Sequence, residues 1–140
     1  MQLPLYTGQI GFITEKKKID LIKIFLWNLI GIGIIILIKM FTDPIFVNAL
    51  TEKAILKFNK TILRMFVDGF ICGTLIHLAV KCKKPLLTSM AVVIFILTGS
   101  EHCIADFPYL LFNLSPVNIL KFIGIVLGNS IGAILIERLS

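Results

Sequence analysis

The chain has 140 residues, of which 57% are hydrophobic and 16% are charged, with a formal net charge of +6 at pH 7 and a mean hydropathy of +0.96. A water-soluble domain of this size alternates apolar and polar residues along its helices, whereas here the apolar residues form blocks bounded by charges. The composition therefore excludes an ordinary soluble domain, and the basic charge indicates membrane-flanking loops rather than a nucleic-acid-binding surface.

Four apolar blocks predict four transmembrane helices. The blocks cover residues 24–38, 65–80, 86–112 and 122–136. The first, second and fourth are shorter than the ~20 residues of an ordinary span, and lysine or arginine side chains that reach back to the interface can supply the missing length. The first block lies too far from residue 1 to be a cleavable signal peptide. We therefore predict one all-α transmembrane domain over residues 1–140, a helical bundle of about four spans.

The amino-terminal residues predict both a lead-in and an orientation. Residues 1–18 end in a lysine cluster and precede a first span over residues 19–41, so we interpret them as a short, half-apolar lead-in. The lysines at 16–18 fall on the same side as those at 81, 83 and 84 if the spans alternate, which places both termini in the cytoplasm. The chain is predicted to be a multi-pass protein of the cell membrane (plasma or inner).

Residues 42–60 predict a turn, Thr-Asp-Pro, followed by an amphipathic helix that carries Lys53, Lys57 and Lys60. We predict a solvated face for Lys53 and Lys60, although lysines near an entrance also raise the local concentration of anions. Asp68 and Asp106 lie inside apolar stretches, where a carboxylate needs a partner or water. The sequence does not name those partners.

Small residues recur at four-residue intervals in the second and fourth blocks. This spacing places glycines on one helix face, which lets two backbones approach closely in lipid. The sequence therefore predicts tight helix packing through Gly69 and Gly73 on one helix and Gly124, Gly128 and Gly132 on the other.

The remaining chemistry-bearing residues point to structure rather than catalysis. His77 is predicted to be a hydrogen-bonded core residue. The three cysteines, Cys72, Cys82 and Cys103, are scattered singly without metal-ligand spacing. We therefore predict neither a metal site nor a cofactor.

The third block carries a polar interruption at residues 98–102, Thr-Gly-Ser-Glu-His. Residues 86–97, as helix, would span about 18 Å of a ~30 Å hydrocarbon core, so the interruption lies near the midplane. Non-helical backbone at that depth occurs only where it is buried in protein or lines a cavity, and ionisable groups there are functional candidates.

Two interpretations of this interruption remain open. His102, beside Glu101, is suited to exchanging a proton with a weak-acid anion. Alternatively, one of the polar residues at 98, 100, 101 and 102 simply caps the half-helix that follows. Even then, the helix amino terminus would favour an anion at the midplane. The interruption therefore predicts a pore or transport site.

Residues 99–106, Gly-Ser-Glu-His-Cys-Ile-Ala-Asp, resemble the Gly-Phe-Glu-His-x-x-Ala-Asn signature of the formate/nitrite transporter family. Residues 69–79 resemble the fourth-helix motif of that family, residues 128–132 its last-helix Gly-Asn-x-x-Gly, and residues 5–8 the Leu-Phe-Thr-Gly of its first interrupted helix. The order and spacing of these motifs agree along nearly the whole chain. Asp106 stands where the family has Asn.

The resemblance implies part of an inverted-repeat, aquaporin-like transporter fold, with one discontinuous span. It also implies that residues 1–18 are the remnant of an interrupted helix followed by a cytoplasmic loop. It also implies a homopentamer in which each protomer moves small monovalent anions, such as formate, nitrite or hydrosulfide, without enzymatic chemistry. His102 would be the central pore histidine, Thr7 the threonine facing it, and Lys57 the vestibule lysine, with Tyr6 and Phe95 at aromatic constrictions. The substrate-binding set that follows from the resemblance is His102, Thr7, Glu101, Lys57, Tyr6, Phe95 and Asn129.

The expected partners are small anions, protons and the lipid bilayer, with no nucleic acid. Members of the family have six spans, and this chain begins just before the break of the second, so the alternative assembly is a complex with a missing amino-terminal half. The alternative function is a non-transporting truncated remnant, or an assembly partner of a separately encoded amino-terminal half. A membrane-embedded enzyme using Glu101 and His102 is a weaker hypothesis, because no nucleophile or metal cluster accompanies them.

Overall fold

The computed structural model describes residues 5–13, 18–82 and 85–139, with the backbone but not the side chains of residues 18, 85, 87, 92 and 95. Helices are the only regular secondary structure among the described residues, which confirms the all-α prediction. Its helices are α1 (Tyr6–Gln9), which continues into a 3-10 turn (Ile10–Phe12), α2 (Lys18–Thr42), α3 (Pro44–Lys57), α4 (Ile62–Cys82), α5 (Pro85–Thr98), α6 (Cys103–Phe112) and α7 (Pro116–Leu139).

Four helical segments are long and apolar enough to cross a membrane, as predicted. They are Ile19–Thr42, Ile62–Cys82, Thr88–Phe112 and Pro116–Leu139, and the third consists of α5 and α6. The first, second and fourth segments are longer than the corresponding apolar blocks of the sequence, because their helices also include charged residues beyond the ends of the blocks, such as Asp20 and Glu137. The lysines at 16, 17, 83 and 84, on which the predicted orientation rests, lie outside the described residues.

The turn predicted before α3, and the turn before α7, each place a side chain that caps the amino terminus of the helix that follows. The Asp43 side chain accepts a hydrogen bond from the Phe46 amide at 3.0 Å, and proline is the first residue of α3. Ser115 does the same for α7, because its hydroxyl accepts from the Asn118 amide at 3.1 Å. Each cap satisfies an amide that has no partner within its own helix.

Helices α4 and α7 pack through their glycines. A methyl group at Gly73 would overlap the Asn129 carbonyl, and one at Gly132 would overlap the Phe70 carbonyl. At Gly69 the added carbon would lie 2.9 Å from the Ile125 carbonyl oxygen. Only residues without a side chain allow backbones this close, so the predicted packing surface is confirmed.

We expect Gly73→Ala to lower the free energy of unfolding by about 1–3 kcal/mol, because the clash is with rigid backbone of α7 and the two helices must separate. The measurement is a dodecyl sulfate titration of the protein in mixed micelles. Gly31→Ala in α2 is the matched control, since nothing lies within 4 Å of the added carbon. That control is expected to be neutral or stabilising by up to ~1 kcal/mol. Equal effects of the two substitutions would contradict the packing argument.

The outward surface of the bundle is apolar. Trp27 and Phe41 of α2 are 69% and 84% exposed, and exposed isoleucines and leucines cover the rest of that helix. Exposure of such a surface to water would be unfavourable, but exposure to lipid is not, because lipid is as apolar as these side chains. The buried apolar core lies instead where α3, α4, α6 and α7 meet, around Met65, Cys103 and Ile125.

Candidate functional site

The third span is interrupted at the predicted place. Helix α5 ends at Thr98, and Gly99 follows with a φ of +59°, in the left-handed region that glycine adopts without strain. The Thr98 hydroxyl donates back to the Ile94 carbonyl at 2.8 Å. Helix α6 begins at Cys103, so the backbone from 99 to 102 is non-helical.

His102 caps the second half of the broken span. Its backbone is extended, its Nδ1 accepts a hydrogen bond from the Ala105 amide at 3.2 Å, and only 5% of the residue is exposed. An accepting Nδ1 carries no proton, so the neutral ring has its proton on Nε2. Of the residues that the sequence offered as caps, His102 is the one that serves, and its imidazole therefore lies at the amino terminus of α6.

Asn129 connects the break to the rest of the bundle. Its Oδ1 accepts from the Cys103 amide at 2.9 Å and from the Thr7 hydroxyl at 3.5 Å. Its Nδ2 donates to the Glu101 carbonyl at 2.8 Å and to the Gly69 carbonyl at 2.7 Å. The amide is fully buried and both of its ends are engaged within the protein. One side chain of α7 thus supplies hydrogen bonds to backbone groups at the break that have no partner within α5 or α6.

The amino-terminal segment reaches the same place. Thr7 is fully buried, and its hydroxyl lies 3.5 Å from the Cys103 sulfur, next to His102 in the chain. The Tyr6 hydroxyl lies 3.0 Å from Ser130 Oγ, which itself donates to a backbone carbonyl, so tyrosine is the donor. The structure therefore brings Tyr6 and Thr7 to the break, whereas the side chain of Phe95 lies outside the described residues.

A cluster of charged side chains lies beside the break, and we call it the carboxylate–lysine cluster. Lys57 Nζ lies 2.7 Å from Glu101 Oε2 and 2.8 Å from Asp106 Oδ1. Lys60 Nζ contacts Glu101 Oε1 and lies 2.9 Å from an Asp68 oxygen. The members of the cluster are Lys57, Lys60, Asp68, Glu101 and Asp106.

Two carboxylates whose partners could not be identified from the sequence form ion pairs in this cluster. Asp68 and Asp106, each inside an apolar stretch, pair with Lys60 and Lys57 respectively. The prediction of a solvated Lys60 is wrong, because its ammonium is held between two carboxylates. Lys53 is exposed, as predicted. The spacing of the lysines in the sequence indicates that several lie near one another. It does not indicate which carboxylates, distant in the chain, the fold places beside them.

Both lysines of the cluster stay charged. Burial alone would lower the pKa of Lys57, but the carboxylates of Asp106 and Glu101 outweigh it, so that the pKa lies well above its usual range. Lys60 behaves in the same way: burial opposes its charge, whereas Glu101 and Asp68 raise its pKa above the usual value. The Lys57 ammonium also lies 5.2 Å from the centre of the Tyr109 ring.

His77 is a hydrogen-bonded core residue, as predicted. It is fully buried, and its two ring nitrogens lie 3.2 Å from the Gly8 carbonyl oxygen and 2.7 Å from a Glu137 carboxylate oxygen. Glu137 also lies 3.0 Å from the Lys81 ammonium. The ring therefore links the amino-terminal segment to α4 and α7.

The described residues thus define a multi-pass, all-helical membrane protein whose third span is broken at a buried histidine. Among these residues no group of three or more His, Cys, Asp and Glu is arranged to hold a metal ion. Comparison with protein-family models, with curated proteins and with solved structures finds no match for this chain. The assignment to a class therefore rests on its helices, and any finer assignment rests on the site.

Proposed function

We propose that this chain carries small monovalent anions, such as formate, nitrite or hydrosulfide, across a membrane through a path centred on His102. The observation that carries the proposal is the buried imidazole at the amino terminus of α6, inside a break of a membrane-spanning segment. A helix amino terminus carries a partial positive charge, which favours an anion. Transport sites near the bilayer midplane commonly use helix breaks of this kind.

In this proposal the neutral imidazole recognises the anion as a hydrogen-bond donor. Nδ1 is occupied by the Ala105 amide, so the ring would donate through its Nε2–H. A second proton on the ring requires Nδ1 to release that amide, which weakens the cap of α6. Charging of His102, and hence proton exchange with a weak acid, is thereby linked to the start of α6.

In this proposal the main role of Lys57 is structural and is not the attraction of the anion. Its charge is matched by Glu101 and Asp106, so the cluster presents little excess positive charge to an approaching anion. We infer that the lysines mainly hold Glu101, and with it the backbone of the break, in place. Tyr6 and Phe95 remain the proposed aromatic constrictions, Thr7 the proposed partner of His102, and Asn129 the residue that fixes the path.

The proposed assembly is a homopentamer, or a complex with a separately encoded amino-terminal half, in an aquaporin-like inverted-repeat arrangement. The apolar outer face of α2, with Trp27 69% exposed, suits contact with lipid or with a neighbouring subunit. The proposed location is the cell membrane, with both termini in the cytoplasm.

The test is uptake of formate and nitrite into proteoliposomes that contain the full chain, compared with empty vesicles. His102→Asn is the informative variant, because an asparagine side chain still accepts the Ala105 amide and so keeps the cap, while the imidazole is lost. The shorter amide cannot place its own donor where the Nε2–H lies, and we expect uptake to fall about tenfold or more, the effect of losing that hydrogen bond at roughly 1.4 kcal/mol. Lys53→Met, at an exposed position of α3, is the control and is expected to match the wild type.

The outcomes separate the two functions. Uptake that His102→Asn leaves unchanged would remove this histidine from the mechanism. Uptake by the folded wild-type chain that does not exceed that of empty vesicles would instead favour the alternative function, a non-transporting remnant or assembly partner.

A further inference from the structure

Two carboxyl groups of the cluster each have an oxygen that receives no hydrogen bond. The side chains of Glu101 and Asp106 are 0% and 3% exposed, respectively. Glu101 Oε2 and Asp106 Oδ2 are both buried without a hydrogen-bond donor. The Lys57 ammonium lies 2.7 Å from Glu101 Oε2 in an ion pair, and this oxygen accepts no hydrogen bond. A buried acceptor without a donor is costly, so both oxygens require an explanation.

The two carboxyl groups also lie close to each other, because the same ammonium, Lys57 Nζ, lies 2.7 Å from Glu101 Oε2 and 2.8 Å from Asp106 Oδ1. An ionised carboxylate has no donor and can only accept. Two ionised groups in this position would therefore repel each other and leave both oxygens unsatisfied. A single proton between them satisfies both oxygens and removes one of the two charges.

The surrounding charges favour that proton. Within the cluster, the three carboxylates of Asp68, Glu101 and Asp106 face only two ammonium groups. The guanidinium of Arg64 lies 3.8 Å from Asp68, but its side chain is 70% exposed and its charge is screened by solvent. The other neighbours named by the structure, His102 and the ring of Tyr109, add no buried positive charge.

We propose that Glu101 and Asp106 hold one proton between them, as a carboxylic acid–carboxylate pair beside His102. The Asp106 hydroxyl would donate to Glu101 Oε2, while Lys57 and Lys60 bind the oxygens that remain. In this form the Asp106 side chain has the shape and the donor of an asparagine. The inference goes beyond the proposed function, because it depends only on the burial and hydrogen bonding of the pair and holds whether or not the chain transports anions.

The experiment is infrared spectroscopy of the full chain in lipid bilayers at neutral pH, in water and in heavy water. We expect the carbonyl stretching band of a protonated carboxylic acid, shifted by deuterium. The band is expected to disappear in both Asp106→Asn and Glu101→Gln, because the new amide donates where the proton was and the charge count then balances without it. Asp20→Asn, at an exposed position of α2, is the matched control and should leave the band unchanged.

Isotope labelling makes the test independent of variants that fail to fold. Carboxyl labelling of aspartate in the wild-type chain should shift the band if the proton is bound to Asp106, and labelling of glutamate should shift it if the proton is bound to Glu101. Absence of the band from the folded wild type would overturn the proposal. Its survival at full intensity in either folded variant would also overturn it, because the proton would then not belong to the pair.

Discussion

Lys57→Met is expected to lower the free energy of unfolding by about 3–5 kcal/mol, the usual consequence of removing one partner of a buried ion pair. The lysine lies within 2.8 Å of two buried carboxyl groups, those of Glu101 and Asp106. Methionine keeps the length and much of the volume of the side chain but removes the cation that pairs with Asp106 and leaves Glu101 with Lys60 alone. The measurement is a dodecyl sulfate titration of wild type and variant in mixed micelles.

Two comparisons make this result specific to the cluster. Lys53→Met changes a lysine one helical turn away on an exposed face, and we expect an effect within about 0.5 kcal/mol. Adding Asp106→Asn to Lys57→Met removes the carboxyl group that lost its cation and should recover part of the lost stability. If Lys57→Met and Lys53→Met cost the same, or if the double variant recovers nothing, the two ion pairs do not stabilise the fold.

Asn129→Ala is expected to lower the free energy of unfolding by about 2–6 kcal/mol, because the Cys103 amide and the Glu101 carbonyl each lose a partner at roughly 1–3 kcal/mol. The Glu101 carbonyl belongs to the non-helical backbone of the break, and the Cys103 amide belongs to the first residue of α6, which has no preceding helical turn to supply a partner. The loss should be accompanied by increased hydrogen exchange at residues 99–103, measured by mass spectrometry in micelles.

Asn48→Ala is the control for this second prediction, since Asn48 is exposed on α3. It should change neither the stability nor the exchange at the break. A result in which Asn129→Ala lowers stability but leaves exchange at 99–103 unchanged would mean that the asparagine supports helix packing rather than the break. Asn129 lies against Gly69 and Gly73 of α4, so this distinction requires the exchange measurement and not stability alone.

The predictions that succeeded depend on residues close together in the chain. The glycine and polar residues at 98–102 cannot continue an apolar helix, and the helix ends there at Thr98. Asp43 precedes a proline and Ser115 precedes another, and both become caps. The four-residue glycine spacing marks one face of a helix wherever that helix lies, which is why the surface between α4 and α7 was predictable.

The predictions that failed or were missing concern partners far apart in the chain. Lys60 meets Glu101 across 41 residues, and Asn129 meets Glu101 across 28. Nothing local distinguishes Lys60, which is ion-paired, from Lys53, which is exposed. The inverted repeat and the oligomeric state, which involve still larger arrangements, stay predictions.

By itself the sequence determines that this chain is a helical membrane protein with four spans, a break in the third and close packing of two helices through glycines. These features follow from hydropathy, turn residues and side-chain size, which act over one or two helical turns. Only the tertiary structure decides how the break is satisfied: which asparagine binds its backbone, which lysines neutralise its carboxylates, and which histidine nitrogen caps α6. In lipid every buried polar group must find a partner within the protein, and that partner is selected by three-dimensional proximity rather than by position in the chain.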